Sequence, residues 1–300
     1  MTYCVAMAVD EGIVFLSDTR TNAGVDHIST SRKMAVFEEP GERVLVLLVA
    51  GNLAITQATL QVLTEPQEAG RPTLWNVASM VEAARLVGEA VREVYRRDAD
   101  ALKSFGVEFS CSFILGGQLR SQPMRLFQIY AAGNFIETST LSPYFQIGES
   151  KYGKPIIDRV LTPATSLDEA AKCALISMDS TVRSNLSVGL PLDLLVYERD
   201  SLRVTRYATL DQSNEYYQMI NTTWGARLRQ VFGEIPDPVW SDTGDVPRRS
   251  RAGDAVPLVP RSPLDASGAE ARPAQTLAQA HSSHPSAPLQ QPHAPDTPPA

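Results

Sequence analysis

Residues 2–24 read TYCVAMAVDEGIVFLSDTRTNAG, and this stretch decides the fold. It holds two strand-like apolar runs, Tyr3–Val9 and Ile13–Ser17, joined by Asp10-Glu11-Gly12. A short polar connection that ends in glycine is typical of a tight hairpin turn, in which Gly12 is free to take a positive φ. We therefore expect the chain to open with an antiparallel hairpin, so that the end of the second strand lies beside the start of the first.

The rest of the chain groups its predicted strands into hairpins. Apolar runs predict strands at Met34–Phe37, Arg43–Val49, Phe109–Leu115, Met124–Tyr130, Phe135–Glu137, Leu192–Glu198 and Leu202–Tyr207. Helical spacing predicts helices at Gly51–Leu63, Leu74–Arg97, Lys151–Val160, Leu167–Val182 and Gln212–Phe232. Strands in hairpins favour antiparallel sheets over a parallel nucleotide-binding sheet. We predict an α/β (α+β) fold with two antiparallel sheets stacked face to face and flanked by helices.

The composition changes sharply near Pro236. Residues 236–300 contain 13 of the 21 prolines and no aromatic residue after Trp240. Such a segment buries too little apolar surface to offset its ordering entropy. We therefore predict one domain over residues 2–235 and a disordered, Pro-rich tail over residues 236–300.

Charge and composition narrow the class of protein. A net charge of -7 argues against nucleic acid or an anionic membrane as the main partner. No apolar run approaches the ~20 residues of a membrane span, and the N-terminus lacks the basic region of a secretory signal. Three widely separated cysteines argue against a disulfide framework and favour the cytoplasm.

The sequence lacks the residues that several common binding and catalytic sites require. No glycine-rich nucleotide loop is present, and nothing in the chain has an ATP-binding pattern. His27 is the one histidine of residues 2–235, which disfavours a zinc site or a Ser–His–Asp triad there. We expect no cofactor and no metal.

Thr2 offers a different chemistry. A small penultimate residue normally allows removal of Met1, which leaves Thr2 with a free α-amine. Such an amine has a pKa of about 7.7–8.0, so near neutral pH it can accept a proton from the hydroxyl of the same residue. A threonine activated by its own amine is a known nucleophile, although many ordinary proteins begin with Met-Thr.

Two charged residues fit that chemistry. The hairpin brings Asp18, at the end of the second strand, close to Thr2, and Lys33 opens the next strand within reach of the same place. A lysine ammonium there would lower the pKa of the threonine hydroxyl and keep the amine neutral, while Asp18 would hold the ammonium in place. Taken singly, Asp18 also suits a turn cap and Lys33 a surface charge.

In combination, these residues resemble a known family. Thr2, the Ser17–Gly24 segment, Lys33 and Ala50-Gly51 before a helix are similar to proteasome β-subunits and their bacterial relative HslV. Within that group the chain most resembles Anbu, the bacterial ancestral β-subunit family. Two further segments carry the likeness, Ile147–Pro155 (IGESKYGKP) and Asp179–Gly189 (DSTVRSNLSVG).

The resemblance implies a four-layer αββα sandwich, the N-terminal nucleophile hydrolase fold, in a ring or related homo-oligomer with threonine-peptidase activity. It assigns Thr2 as nucleophile, its amine as general base, Asp18 and Lys33 as the supporting pair, and Gly51 as a backbone donor to the oxyanion. The family's assisting serine corresponds either to Ser150 or to a replacement by Glu149. Asp179 matches the supporting aspartate of the following helix.

Three functions therefore remain open. The first is an endopeptidase acting on peptides or unfolded proteins, with any partner ATPase unknown. The second is an amidase that uses the same nucleophile on a small molecule, since fold does not fix substrate. The third is a ring-forming scaffold with a weak or vestigial site, which Glu149 in place of serine suggests.

Overall fold

A computed structural model describes residues 2–23, 27–65 and 72–240. By its internal contacts the chain divides into Met1–Asp237 and Pro238–Ala300, and the elements described below all belong to the first unit. Residues 241–300, most of the predicted tail, lie outside the described residues. The division into a domain and a disordered tail therefore stays a prediction.

Twelve strands and five helices occupy the described residues. The strands are β1 Tyr3–Val9, β2 Gly12–Asp18, β3 Arg20–Ala23, β4 His27–Thr30, β5 Met34–Glu39, β6 Arg43–Gly51, β7 Cys111–Leu119, β8 Arg125–Ile129, β9 Phe135–Glu137, β10 Tyr144–Gly148, β11 Leu192–Glu198 and β12 Arg206–Leu210. The helices are α1 Leu53–Thr64, α2 Met80–Ser104, α3 Lys154–Val160, α4 Leu167–Ser184 and α5 Glu215–Glu234. No helix in the described ranges is long and apolar enough to cross a membrane.

The strands form two five-stranded antiparallel sheets and one small hairpin. The first sheet has the order β10-β1-β2-β11-β12, the second has the order β5-β6-β7-β8-β9, and β3 pairs with β4 alone. Helices α1 and α2 cover the second sheet, whereas α3, α4 and α5 cover the first. The predicted sandwich of two antiparallel sheets flanked by helices is confirmed.

Strand β6 explains why the sheets stack. Its residues alternate between two apolar cores, because successive side chains of a strand point to opposite faces. Leu45, Leu47 and Val49 pack against the helices, whereas Val44, Val46 and Leu48 pack against the first sheet. A continuous apolar run is therefore what a strand between two buried layers requires.

The opening hairpin forms as expected, but position 12 requires glycine for a different reason from the one predicted. Cys4 lies opposite Ser17 and Val9 opposite Gly12. Gly12 is not among the residues with positive φ. Instead, a Cβ atom at this position would lie 2.0 Å from the carbonyl oxygen of Tyr197, so the close approach of β11 excludes any side chain.

Other predicted boundaries shift for local reasons. Helix α2 begins at Met80 rather than Leu74, because the Ser79 side chain accepts a hydrogen bond from the Glu82 N–H and caps the helix there. Strand β12 begins at Arg206 rather than Leu202, which has a φ of 46°. Strands β3, β4 and β10 were not predicted, and each is only four or five residues long.

Candidate active site

The β1–β2 hairpin places an aspartate against the backbone of the first described residues. Asp18 ends β2, and its side chain is fully buried. Its Oδ1 atom accepts a hydrogen bond of 3.0 Å from the backbone N–H of Tyr3. The carboxylate is thus fixed next to Thr2, which is 8% exposed.

Lys33, the residue before β5, pairs with this carboxylate. Its Nζ atom lies 2.7 Å from Asp18 Oδ1 and donates a second hydrogen bond of 2.6 Å to the carbonyl oxygen of Arg20. The Lys33 backbone is held in turn, because its carbonyl oxygen accepts from the Val49 N–H at 2.9 Å. The lysine side chain is 6% exposed and the aspartate side chain 0%, so the ion pair is buried.

Burial dominates the electrostatics of Asp18. Loss of solvent raises the pKa of the Asp18 carboxyl above its ordinary value, while the Lys33 ammonium and the N–H groups of Tyr3 and Gly189 oppose that shift. The Gly189 N–H contacts Oδ2 at 3.4 Å, which is a long hydrogen bond. The ionised carboxylate therefore depends mainly on Lys33 for its stability.

Thr2 and Lys33 open onto a cleft of about 630 Å³. The cleft lies between the two sheets at the start of β1 and the end of β6, and none of the described residues that line it is an Asp or a Glu. The lining residues are Thr2, Arg20, Thr21, Lys33, Val49, Ala50, Gly51, Asn52, Leu53, Thr56, Ser110 and Gly148. Within the described ranges, no group of three or more His, Cys, Asp or Glu side chains is placed to hold a metal ion.

Gly51 forms the wall of the cleft at the end of β6. Its φ is 118°, and a Cβ atom there would lie 2.3 Å from the carbonyl oxygen of Ser110. The N–H groups of a strand alternate between its two edges. The Gly51 N–H therefore points to the same edge of β6 as the Val49 N–H, which donates to Lys33. At Gly51 this edge is not covered by β5, because β5 starts at Met34, after Lys33.

The end of β10 encloses Thr2 from the other side. The Glu149 N–H donates a hydrogen bond of 2.7 Å to the carbonyl oxygen of Thr2. Gly148 has a φ of 81°, and a Cβ atom on it would lie 1.9 Å from that same oxygen. Tyr3 lies opposite Gly148 in the ladder, so the next pair places Glu149 opposite Thr2.

The Glu149 carboxylate is also held in place. The residue is 7% exposed, and its Oε2 atom accepts a hydrogen bond of 3.2 Å from Asn185 Nδ2. Asn185 caps the C-terminus of α4, and its Oδ1 atom accepts from the Ser187 N–H at 3.0 Å. A buried carboxylate is therefore anchored beside Thr2 by the end of α4.

The two remaining predicted site residues are Ser150 and Asp179, and like Asp18 and Glu149 they are not in the described lining of the cleft. Ser150 contributes its backbone oxygen to the start of α3, where it accepts from the Lys154 N–H. Asp179 faces α5 instead, since Asn221 Nδ2 donates to its Oδ1 at 2.6 Å and Arg183 Nε lies 3.5 Å from its Oδ2. Their predicted supporting roles stay predictions.

Three residues that help to form the site, Tyr3, Gly189 and Asn185, are not predicted by the sequence pattern. The Tyr3 hydroxyl lies 3.0 Å from Ser177 Oγ and accepts from Gln146 Nε2 at 2.5 Å, which locks the residue after Thr2. Gly189 approaches Asp18, and a Cβ atom on it would lie 2.4 Å from the Arg20 guanidinium carbon. Asn185 and Gly189 both lie in the Asp179–Gly189 segment. The sequence indicates the importance of this segment only through its resemblance to the family.

Two stacked antiparallel sheets between helix layers, with a cleft at the start of the first strand, define the proteasome-like N-terminal nucleophile hydrolase fold. No protein-family model and no curated protein matches the chain, but solved structures do. "Anbu (ancestral beta-subunit) from Yersinia bercovieri" is 52% identical, with a TM-score of 0.75, and the match covers 80% of this chain and 100% of that one. The chain belongs to the Anbu family.

Two further solved structures agree with this assignment. An Anbu (Gly-1) mutant from Hyphomicrobium sp. strain MC1 is 48% identical over 80% of this chain and 100% of that one, with a TM-score of 0.75. The "Helical Assembly of the Anbu Complex from Pseudomonas aeruginosa" is 48% identical over 79% of this chain and 98% of that one, also with a TM-score of 0.75. The family resemblance drawn from the sequence is confirmed.

Proposed function

We propose that the protein is a threonine endopeptidase whose nucleophile is Thr2, exposed by removal of Met1. The observation that carries this proposal is the buried Lys33–Asp18 ion pair beside Thr2, at the base of a cleft large enough for a peptide segment. Burying an ion pair is costly and seldom adds net stability, so its position at a cleft favours a chemical role over a purely structural one.

The proposed reaction proceeds through an ester. The Thr2 hydroxyl oxygen attacks the carbonyl carbon of a peptide bond, and the α-amine of Thr2 takes the hydroxyl proton. The Gly51 N–H donates to the oxyanion of the tetrahedral intermediate. That intermediate collapses, the C–N bond breaks, and the ammonium returns its proton to the leaving amine. Water then hydrolyses the ester and frees Thr2.

The ion pair supplies the electrostatics of this scheme. The positive charge of Lys33 favours a developing negative charge on the Thr2 oxygen and disfavours protonation of the nearby amine. Asp18 fixes the ammonium and, through its bond from the Tyr3 N–H, fixes the backbone that carries the nucleophile. Neither function requires proton transfer by Lys33 or Asp18.

Of the two candidates for the assisting position, we favour Glu149 over Ser150. Glu149 bonds to Thr2 through its backbone N–H and is buried opposite it in the ladder, whereas Ser150 contributes its backbone oxygen to the start of α3. Neither residue is in the described lining of the cleft. A carboxylate at this place would attract the Thr2 ammonium and so raise its pKa. The proposed enzyme would then become active at a higher pH than one with a serine there.

Assembly and location belong to the same proposal. A relative that is 48% identical is described as a helical assembly, which supports a homo-oligomer for this chain. The three cysteines of the chain are free thiols and buried, as a reducing compartment allows, so we propose the cytoplasm. Peptides or unfolded proteins are the proposed substrates.

The test compares the wild-type protein with Thr2→Ala and Thr2→Ser. Mass analysis of the N-terminus is expected to find Met1 removed from all three, since each has a small second residue. Short fluorogenic peptides are expected to be cleaved by the wild type and by Thr2→Ser, but not by Thr2→Ala. Equal cleavage by wild type and Thr2→Ala would refute the mechanism. Cleavage of small amides alone would favour an amidase.

A further inference from the structure

Lys33 lies on a short segment, residues 31–33, that belongs to neither a strand nor a helix. Two backbone hydrogen bonds hold this segment. The Ser31 N–H donates to the carbonyl oxygen of Thr19 at 2.8 Å, and the Lys33 carbonyl oxygen accepts from the Val49 N–H at 2.9 Å. The position of the Lys33 ammonium therefore depends on what holds the segment, in addition to its own bond to Asp18.

The side chain of Arg32 joins this segment to strands β12 and β11. Its Nη1 atom donates a hydrogen bond of 3.1 Å to the hydroxyl oxygen of Tyr207, and that hydroxyl donates to Asp193 Oδ1 at 2.7 Å. Thr209 Oγ1 donates to the same carboxylate oxygen at 2.9 Å. The phenol therefore bridges a guanidinium and a carboxylate, and each of its two bonds has one charged partner, which strengthens a hydrogen bond. We call these three side chains, Arg32, Tyr207 and Asp193, the Tyr207 bridge.

The carboxylate end of the bridge lies deep in the first sheet. Asp193 is 1% exposed, and its Oδ2 atom has no hydrogen-bond partner within the described residues. A buried carboxylate held only by hydroxyl groups is costly, which favours a role for it beyond packing. On β11, Asp193 lies opposite Ser17 and the preceding Leu192 lies opposite Asp18. The bridge thus connects the residue before Lys33 to a strand that is in register with Asp18.

The hydroxyl of Tyr207 keeps its proton at neutral pH. Loss of solvent raises its pKa above the ordinary value, and the Asp193 carboxylate raises it further, while Thr209 and Arg32 oppose the shift. The hydroxyl therefore donates to Asp193 and accepts from Arg32 at the same time. Removing this one oxygen breaks both bonds and leaves the aromatic ring in place.

We propose that Tyr207 is a positioning residue for the Lys33 ammonium and acts through Arg32. The bridge fixes the residue next to Lys33 to the first sheet, and so fixes the ammonium against Asp18 and beside Thr2. None of the three bridge side chains is in the described lining of the cleft, so their effect on Thr2 passes through Lys33. The expected effect on reaction rate rests on the function proposed above, whereas the expected effect on the ion pair does not.

The first experiment measures coupling to the ion pair by denaturant unfolding of the full chain at one protein concentration. Lys33→Met should cost less stability in the Tyr207→Phe background than in the wild type, because the bond between Lys33 and Asp18 is already weakened there. The control background is Tyr95→Phe, at a half-exposed tyrosine whose edge-to-face contact with Phe109 a phenylalanine keeps; there Lys33→Met should cost what it costs in the wild type. Additive losses from Tyr207→Phe and Lys33→Met would overturn the proposal, whether or not Thr2 is a nucleophile.

The second experiment follows modification of Thr2 by an electrophile that bonds to both its hydroxyl and its α-amine. Tyr207→Phe should slow this reaction about tenfold at pH 7. It should also move the pH–rate profile to higher pH, because a displaced ammonium opposes protonation of the Thr2 amine less strongly. Arg32→Met should do the same, and the double variant should be no slower than either single variant, since both break one bridge.

The control variant Tyr95→Phe should keep the wild-type rate and profile. An unchanged rate or an unshifted profile in Tyr207→Phe would overturn the positioning role while leaving the proposed nucleophile intact. Multiplied effects of Arg32→Met and Tyr207→Phe would show that the two residues act separately, and would overturn it as well. A wild type that is not modified at Thr2 would instead refute the proposed function, and the unfolding experiment would then decide the positioning role alone.

Discussion

Replacing Lys33 by methionine removes the ammonium and keeps a side chain of nearly the same length. The substitution deletes the 2.7 Å contact with Asp18 and the 2.6 Å hydrogen bond to the Arg20 carbonyl oxygen. It leaves the Asp18 carboxylate fully buried, with the N–H groups of Tyr3 and Gly189 as its remaining donors. The variant therefore isolates the charge of Lys33 from its packing.

The expected cost follows from burial. Removing one partner of a buried ion pair costs about 3–5 kcal/mol, whereas an exposed pair is worth about 0–1 kcal/mol. Side-chain exposures of 6% and 0% place this pair in the buried class. Because burial already raises the pKa of Asp18, protonation offers the isolated carboxyl a way to lose its charge and limits the penalty. We expect a loss of about 3 kcal/mol at pH 7.

Denaturant unfolding at one fixed protein concentration measures this loss, since assembly contributes to apparent stability. Lys103→Met, at an exposed lysine near the end of α2, is the matched control and should change stability by no more than about 0.5 kcal/mol. Modification of Thr2 by an electrophile should also slow by about 10²-fold or more in Lys33→Met. A stability loss equal to that of the control would refute the assignment of a buried, coupled pair.

Three further predictions concern other parts of the site. Gly51→Ala places a methyl group 2.3 Å from the Ser110 carbonyl oxygen and should lower the peptide cleavage rate about 10²–10³-fold. The control is Gly106→Ala, which also has a positive φ but has no atom within 4 Å of the added methyl group, and this variant should keep the wild-type cleavage rate. Glu149→Gln should shift the pH–rate profile for Thr2 modification to lower pH, and Ser150→Ala should leave the profile unchanged; the opposite pattern would assign the assisting role to Ser150. Asp18 has a raised pKa in the folded state, so the stability it contributes is complete below its ordinary pKa of 3.8 and is lost as the pH rises through the raised pKa. Denaturant unfolding between pH 4 and pH 8 should therefore show a flatter decline for Asp18→Asn than for the wild type, and parallel curves would contradict this.

The sequence predicts the parts of the fold that depend on local pattern. The apolar runs of β1 and β6 each report burial directly, since a strand between two layers needs apolar residues on both faces. The opening hairpin could be predicted from its polar turn. From the hairpin alone, the position of Asp18 next to Thr2 also follows, because antiparallel pairing fixes which residues lie opposite.

The rest of the site depends on contacts between distant residues. The carboxylate of Glu149 meets Asn185, 36 residues later, and the carboxylate of Asp18 meets the Gly189 N–H, 171 residues later. No local periodicity encodes such pairs. The reason for Gly12 was missed in the same way, because the atom that excludes a side chain belongs to Tyr197. The carboxylate of Asp179 accepts from Asn221 of α5, 42 residues later, and its predicted supporting role stays a prediction.

The central claim is that Thr2 is the nucleophile and that its own amine is the base. An electrophile that must bond to both the hydroxyl and the α-amine of one residue tests both parts at once. Intact and peptide mass analysis should find one adduct per chain on the N-terminal peptide beginning at Thr2 in the wild type and in Thr2→Ser, and none in Thr2→Ala. Retention of Met1, or an adduct that persists in Thr2→Ala, would contradict the account.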